Sequence, residues 1–203
     1  HTQKVTTTST STLYSYTVKA DHQVGTSFLS GTNTIVIKSG KSVLLGGAVN
    51  AQGGSVSLIA GNNILNQSGA AAITGASNLT LKAATGSIGS EGSAIKWTAA
   101  GSSDKQLNLT ATAGKSIYID AKNLNSGAAV SGSLNAGETV SAEFRGGVDL
   151  NSLSGQKLSL VSQEGGINIK SLDHKEASDL SQRLDLTAAG DISLKSVGDI
   201  SVG

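Results

Sequence analysis

The sequence of 203 residues contains no cysteine, proline or methionine, and only six of its side chains are aromatic. The absence of cysteine excludes disulfides and thiolate metal sites. The absence of proline excludes a collagen-like chain. A core must therefore be built from Val, Ile, Leu and Ala, and such small side chains favour many thin layers over one bulky centre.

Charge of either sign is also scarce. Fifteen Lys and Arg balance 14 Asp and Glu, and no acidic residue occurs between Asp21 and Glu91. A net charge of +1 provides no long-range field to attract nucleic acids or anionic membranes. No apolar run approaches the roughly 18–20 residues of a membrane span, and no signal peptide opens the chain. The sequence thus predicts neither a nucleic-acid partner nor a transmembrane segment.

Small residues are abundant instead. There are 26 Gly, 31 Ser and 18 Thr, yet 37% of the residues are hydrophobic, which is too many for a disordered linker. Triplets of the type apolar, polar, apolar recur between short turns that contain Gly or Asn. The triplet at 35–37 leads through Gly40 to that at 43–45, and the same pair returns with equal spacing at Val56 and Ile64.

Alternation with a period of two indicates short strands with one buried face. The return of both triplets at one interval favours a parallel solenoid of stacked coils over an antiparallel sandwich. Later returns, from Val56 to Leu79 and from Leu79 to Leu107, are longer, as corner insertions would cause. We therefore predict an all-β fold, a parallel β-helix with triangular coils of about 21–25 residues. Proline would remove ladder donors from such a tube, and methionine and aromatic side chains would overfill it.

The predicted organisation is one continuous domain. Residues 1–30 are expected to form a β-rich lead-in rich in Ser and Thr that supplies the first coil or coils, and residues 31–203 the parallel β-helix. The pattern is irregular at 90–147, where we expect loops, and charged residues at 172–184 suggest a short helix or a corner insertion. Because the sequence begins at His1 and stops within the recurring pattern, we expect it to be part of a longer protein.

Several segments carry a family resemblance. After the run rich in Ser and Thr come VGTSFLSG at 24–31, IVIKSGKSV at 35–43 and GGSVSLIAGNNI at 53–64. Over about residues 5–89, and again near 148–203, the chain resembles the haemagglutinin repeat region of filamentous haemagglutinin-type exoproteins. These bacterial two-partner secretion proteins include adhesins and the toxin-carrying stalks of contact-dependent growth inhibition systems.

The resemblance implies a right-handed parallel β-helix. It further implies export through an outer-membrane two-partner secretion transporter, followed by display on the bacterial cell surface or release from it. On this basis the chain is expected to be secreted, and we expect it to be a monomer.

The residues that could bind a metal or act in catalysis do not form a recognisable active-site motif. None of the three histidines has a metal-ligand neighbour at a useful spacing, so no metal site or cofactor is predicted. Some parallel β-helices degrade polysaccharides with paired carboxylates, and Glu143, Arg145 and Asp149 are the nearest cluster. Most acids lie singly at turns, however, where hydrogen bonding to the backbone explains them. The sequence predicts no catalytic residues.

Three functions remain open. The first is a non-enzymatic structural stalk that presents a distal adhesive or toxin domain. The second is a direct binding module in which Trp97, Phe144 and Arg145, within the irregular stretch 90–147, contact a receptor or glycan on a host or neighbouring cell. The third is an enzyme that acts on polysaccharide.

Overall fold

A computed structural model describes residues 2–8, 14–18, 23–30, 34–69, 72–99, 106–174 and 184–196, and in the first three ranges it describes the backbone. Every regular element in these ranges is a strand, and none is a helix that could cross a membrane. The all-β prediction is confirmed. The strands are β1 (Thr2–Thr8), β2 (Tyr14–Val18), β3 (Gln23–Ser30), β4 (Thr34–Ser39), β5 (Val43–Leu45), β6 (Val49–Asn50), β7 (Ser55–Ala60), β8 (Ile64–Asn66), β9 (Ala72–Thr74), β10 (Asn78–Ala83), β11 (Ile95–Thr98), β12 (Gln106–Ala113), β13 (Ile117–Asn123), β14 (Ala129–Ala136), β15 (Thr139–Phe144), β16 (Val148–Gly155), β17 (Lys157–Ser162), β18 (Ile167–His174), β19 (Leu184–Ala188) and β20 (Ile192–Ser196).

The strands form two sheets, and the named strands pair in parallel throughout both. Sheet 1 has eleven strands in the order β19-β17-β15-β13-β11-β9-β6-β3-β5-β8, with β1 also paired to β3. Sheet 2 has nine strands in the order β2-β4-β7-β10-β12-β14-β16-β18-β20. Because the chain passes repeatedly from one sheet to the other, successive coils stack into a parallel β-solenoid, as the sequence predicted.

The pairing of the early coils agrees with the predicted return. Ile35 lies opposite Val56, and Val43 lies opposite Ile64. The side chains of these residues are fully buried, so the apolar positions of one coil stack directly on those of the next. This stacking keeps the alternating faces of consecutive strands aligned.

The pairing predicted for Leu79 is wrong by two positions. Leu79 lies opposite Leu109 and not Leu107, which instead lies opposite Val130 in the following strand. Coil lengths also vary more than predicted, since the step from Leu79 to Leu109 is much longer than the step from Val130 to Val148. The short coils have one strand in each sheet.

The number of strands per coil changes along the chain. An early coil contains three strands, such as β4, β5 and β6, which agrees with the predicted triangular coil. In the later coils the single strand β13 occupies both of the sheet 1 positions that two short strands occupy in an early coil. Its residue Ile117 stacks on Ile88, which stacks on Ile64, and its residue Ile119 pairs with Ile95 in β11. From β12 onward, within the described ranges, each coil has one strand in each sheet.

Columns of aliphatic side chains fill the interior. One column runs through six consecutive coils, and each member is essentially inaccessible to solvent: Val43, Ile64, Ile88, Ile117, Val140 and Leu158. Burying one such side chain contributes about 1.5–3 kcal/mol relative to leaving it exposed. The many Val, Ile, Leu and Ala residues of the sequence therefore form these columns.

Glycines fill the corners where the coils approach most closely. A methyl group on Gly61 would overlap the carbonyl oxygen of Gly40 in the coil below, and one on Gly137 would overlap that of Gly114. Backbone contact of this kind excludes larger residues. Close packing of neighbouring coils accounts for much of the glycine content.

Polar side chains form ladders on the outer face of sheet 2. The Asn108 amide donates to Asn78 Oδ1 at 2.9 Å, and the Asn78 amide donates to Ser55 Oγ at 3.3 Å. Farther along, Asn168 donates to Asp149 Oδ1 at 2.9 Å. These side chains satisfy one another from coil to coil, as in stacked amide ladders.

Residues 90–147 and 172–184 were expected to interrupt the strand pattern. Most of 90–147 consists of strands β11–β15 rather than loops, with a short loop at 89–94, while residues 100–105 lie outside the described residues. In the second segment, β18 continues to His174 and Leu184 begins β19, and residues 175–183 lie outside the described residues.

Candidate functional site

Trp97, the first of the three predicted contact residues, belongs to the core. It lies in β11 with no exposed surface, and its indole Nε1 donates a hydrogen bond to the backbone oxygen of Ala76 at 3.1 Å. A buried indole needs such a partner, because an unsatisfied N–H inside a protein is costly. The side chain is therefore not available to contact a partner, and the expectation is corrected for this residue.

Phe144, the second predicted contact residue, is also fully buried. Its neighbours in sheet 1 are small, because it pairs with Ala121 on one side and with Ser162 on the other. The predicted overfilling by aromatic rings does not occur, since small residues in adjacent coils leave room for the ring. Phe144 cannot contact a receptor, and this expectation is corrected too.

Arg145, the third predicted residue, lies at the surface immediately after β15. Its Nε lies 2.7 Å from Glu164 Oε1, and its Nη1 donates to the backbone oxygen of Leu124 at 3.3 Å. Glu164 also accepts a hydrogen bond from Ser126 at 2.8 Å. Arg145 thus joins residues of neighbouring coils, and its role in binding a partner stays a prediction.

The Arg145 ion pair predicts a pH-dependent contribution to stability. Hydrogen bonds from Arg145 and Ser126 lower the pKa of Glu164 below its ordinary value of 4.5. The pair therefore stabilises the fold above that value, and the stabilisation is lost as the pH falls through the lowered pKa. We expect Glu164→Gln to lower the melting temperature slightly at pH 7, with the difference from the wild type shrinking on acidification below 4.5.

Differential scanning fluorimetry of the wild type and Glu164→Gln across this pH range would measure the difference. Glu91→Gln is a matched control, because Glu91 makes no ion pair with any described residue. A difference that is the same at acidic and neutral pH would contradict the assignment to the ion pair.

The acids considered for catalysis do not form one site. Glu143 lies in β15 of sheet 1, whereas Asp149 lies in β16 of sheet 2. Asp149 forms an ion pair with Lys170 at 3.1 Å. Sequence proximity brought these carboxylates together in the prediction, but the corner between β15 and β16 separates them.

A groove of about 670 Å³ lies on the outer face of sheet 1, and we call it the sheet 1 groove. Its floor crosses β11, β13, β15, β17 and β19, and it is lined by outward-facing side chains that include Lys96, Tyr118, Asp120, Ser141, Glu143, Lys157, Ser159 and Asp185. Strand alternation places them outward, as β13 illustrates: Ile117 and Ile119 point into the core while Tyr118 and Asp120 point out. Binding sites for small ligands have volumes of about 300–1,000 Å³.

The loop at 89–94 contributes residues at the β11 end of this groove. Ser90 and Ser93 exchange two backbone hydrogen bonds, of 3.1 and 3.0 Å, which form a tight turn with Glu91 and Gly92 at its tip. Gly92 has a positive φ of 77°, which favours glycine. The Ser93 hydroxyl donates to the backbone oxygen of Asn66 at 2.9 Å, which anchors the loop to the preceding coil.

The charged groups of the groove are ordered by contacts between adjacent strands. Lys122 Nζ lies 3.4 Å from Asp120 Oδ2 and 3.7 Å from Glu143 Oε2, so one ammonium group bridges two stacked carboxylates. The charge of Asp120, followed by that of Glu143, raises the pKa of Lys122. Glu143 Oε1 also accepts a hydrogen bond from Gln163 at 2.6 Å. Both carboxylates thus have partners on neighbouring strands or on their own strand.

The sequence analysis did not single out Tyr118, Asp120 or Lys122. Their alternation with buried residues in β13 could have placed them on an outer face. Their assembly with Glu143 depends on the pairing of β13 with β15, in which Asp120 lies opposite Glu143. That pairing was not visible in the irregular spacing of this part of the sequence.

Comparison with known proteins gives no match: no family model, no curated protein and no solved structure corresponds to this chain. Within the described ranges, no group of three or more histidine, aspartate or glutamate side chains could hold a metal ion. The sheet 1 groove is a candidate site because charged and hydroxyl side chains line it, and its chemistry is that of a polar binding surface.

Proposed function

We propose that the chain is a non-enzymatic structural segment of a large secreted bacterial surface exoprotein, similar to the filamentous haemagglutinins. Its solenoid holds a distal adhesive or toxin domain away from the producing cell. The observation that supports this role is the unbroken parallel pairing of sheet 2 from β2 to β20. Nine strands stacked in one direction give a rod whose length follows from the number of coils.

The same architecture suits export and display. Each coil contacts mainly its neighbours, so coils can fold one after another as they emerge from an outer-membrane transporter. No disulfide has to form, because the chain has no cysteine. We propose the bacterial cell surface or its surroundings as the location, with a receptor or glycan on another cell as the partner of the whole exoprotein.

A rigid supporting role predicts a fixed distance between the ends of the solenoid. Lys38 in β4 and Lys195 in β20 are both exposed and lie seven strand steps apart in sheet 2. In Lys38→Cys/Lys195→Cys, spin labels should give a narrow distance distribution centred at roughly 30–40 Å, given strands about 4.8 Å apart. Double electron–electron resonance measures this distribution, and the native chain offers no competing cysteine.

The pair Lys38→Cys/Lys170→Cys is a matched control, because Lys170 lies one coil closer to Lys38. Its distance should be shorter by about 5 Å. A broad distribution, or equal distances for both pairs, would exclude a rigid spacer. Release of reducing ends from a panel of polysaccharides by the purified chain would exclude the non-enzymatic role.

A further inference from the structure

The sheet 1 groove runs along the solenoid axis, across the strands. Its floor crosses five strands from β11 to β19, which corresponds to about 19 Å at the usual strand spacing. An extended chain of pyranose sugars advances by nearly one strand spacing per unit. Successive sugars of such a chain would therefore meet corresponding positions on successive strands.

The pairing of the floor strands disfavours a peptide ligand. β11, β13, β15 and β17 are each paired with a neighbouring strand on both edges. A peptide that binds by strand addition needs a free edge, and one that binds by its side chains needs apolar pockets. The described floor offers neither, because its outward positions are mainly polar or charged.

The charge of the lining disfavours polyanions. The described lining contains four carboxylates and two lysines, namely Glu91, Asp120, Glu143, Asp185, Lys96 and Lys157. With the bridging Lys122 included, acids still outnumber bases. A nucleic acid or a sulfated glycan would meet more like charge than opposite charge, which opposes binding. An uncharged ligand that donates hydrogen bonds to carboxylates suits this lining better.

The groove also contains the groups that hold sugars. Tyr118 is partly exposed on the floor, whereas the other two aromatic side chains that the structure describes, Trp97 and Phe144, are buried. Ser141 and Ser159 continue the Tyr118 column on the next two strands. An aromatic ring can pack against the C–H face of a pyranose, while hydroxyl and carboxylate groups exchange hydrogen bonds with its hydroxyls.

The carboxylates beside this column are positioned before any ligand arrives. Lys122 contacts both Asp120 and Glu143, and Gln163 donates to Glu143. Contacts that restrict these side chains reduce the freedom that they lose on binding, which favours affinity. We propose that the sheet 1 groove is a binding site for an extended, uncharged oligosaccharide, which stacks on Tyr118 and donates hydrogen bonds to Asp120 and Glu143. This function goes beyond the supporting role and does not depend on it.

Titration of the ¹⁵N-labelled full chain, followed by NMR, tests the proposal. The probes are cellohexaose, maltohexaose and N-acetylchitohexaose, with a heparin hexasaccharide as the anionic comparison. At least one neutral probe should shift amide signals of β13 and β15. Tyr118→Ala should weaken its binding by about fivefold to tenfold, the loss expected for one aromatic contact. Glu143→Gln should weaken binding too, because a charged acceptor is replaced by a neutral one.

Thr110→Ala, on the exposed outer face of sheet 2, is the control and should bind like the wild type. Tyr118→Phe retains the ring and should retain most of the affinity, which separates loss of stacking from loss of folding. Far-UV circular dichroism checks that each variant is folded. The proposal is overturned if no neutral probe binds at millimolar concentration, if only heparin binds, or if Tyr118→Ala and Glu143→Gln both bind normally.

Discussion

Trp97→Ala is expected to lower the free energy of unfolding by about 3–5 kcal/mol, as is usual for removing a fully buried large aromatic side chain. The substitution leaves a cavity next to Ile73, which pairs with Trp97 in sheet 1. It also leaves the Ala76 carbonyl without the indole donor. Urea unfolding followed by far-UV circular dichroism measures the change, because that signal reports mainly on the backbone and persists when the indole is removed.

Tyr118→Ala is the matched control. It also removes an aromatic side chain, but this side chain belongs to the neighbouring strand β13 and points outward into the groove. It should lower the free energy of unfolding much less than Trp97→Ala does. The intrinsic fluorescence gives a second test, because Trp97 is the single tryptophan of the chain. Its emission should be blue-shifted and resistant to acrylamide quenching. Solvent-like emission, or equal costs for the two variants, would contradict the burial of Trp97.

Gly146→Ala is expected to destabilise the fold strongly and Gly147→Ala is not, although the residues are adjacent. A methyl group on Gly146 would overlap the backbone oxygen of Ala128 in the preceding coil, whereas the nearest atom to one on Gly147 would be the Gly166 oxygen at 3.7 Å. Backbone atoms cannot move aside as a side chain can. We expect Gly146→Ala to cost about 3 kcal/mol or more, at the upper end of the range for overpacking.

Gly147→Ala should be neutral or stabilise the fold by up to about 1 kcal/mol, because alanine restricts the unfolded chain and meets no obstacle here. Thermal and urea unfolding of the two variants, compared with the wild type, measure the difference. Similar stabilities for both variants would show that the coils at this corner are not in backbone contact. Comparing the two variants shows whether glycine is needed because a side chain would not fit, or whether any loss of backbone flexibility changes the stability.

The early coils could be predicted because their spacing is constant. Ile35 and Val56 recur at the same interval as Val43 and Ile64, and each pair forms in the structure. The prediction failed at β12, where four buried positions alternate with four exposed ones along the strand. A shift by two positions leaves the same side chains inside, so the sequence pattern could not select Leu109 over Leu107.

The candidate site could be predicted only in part. Trp97 and Phe144 stood out because aromatic residues are rare in the sequence, but rarity does not distinguish a buried ring from an exposed one. Their strands place both inward. Asp120 and Glu143 belong to different coils, and only the pairing of β13 with β15 makes them neighbours that Lys122 can bridge.

The sequence by itself determined that this protein is a stack of short parallel strands, because alternation with period two and a regular return specify which side chains lie inside each coil. It also determined the aliphatic core and the glycine corners. Only the tertiary structure decided the alignment of the longer strands, the change from three strands to two strands per coil and the position of the groove. These features depend on contacts between residues from 18 positions apart, as in Val130 and Val148, to 30 positions apart, as in Leu79 and Leu109. Corner insertions of varying length conceal that spacing in the sequence.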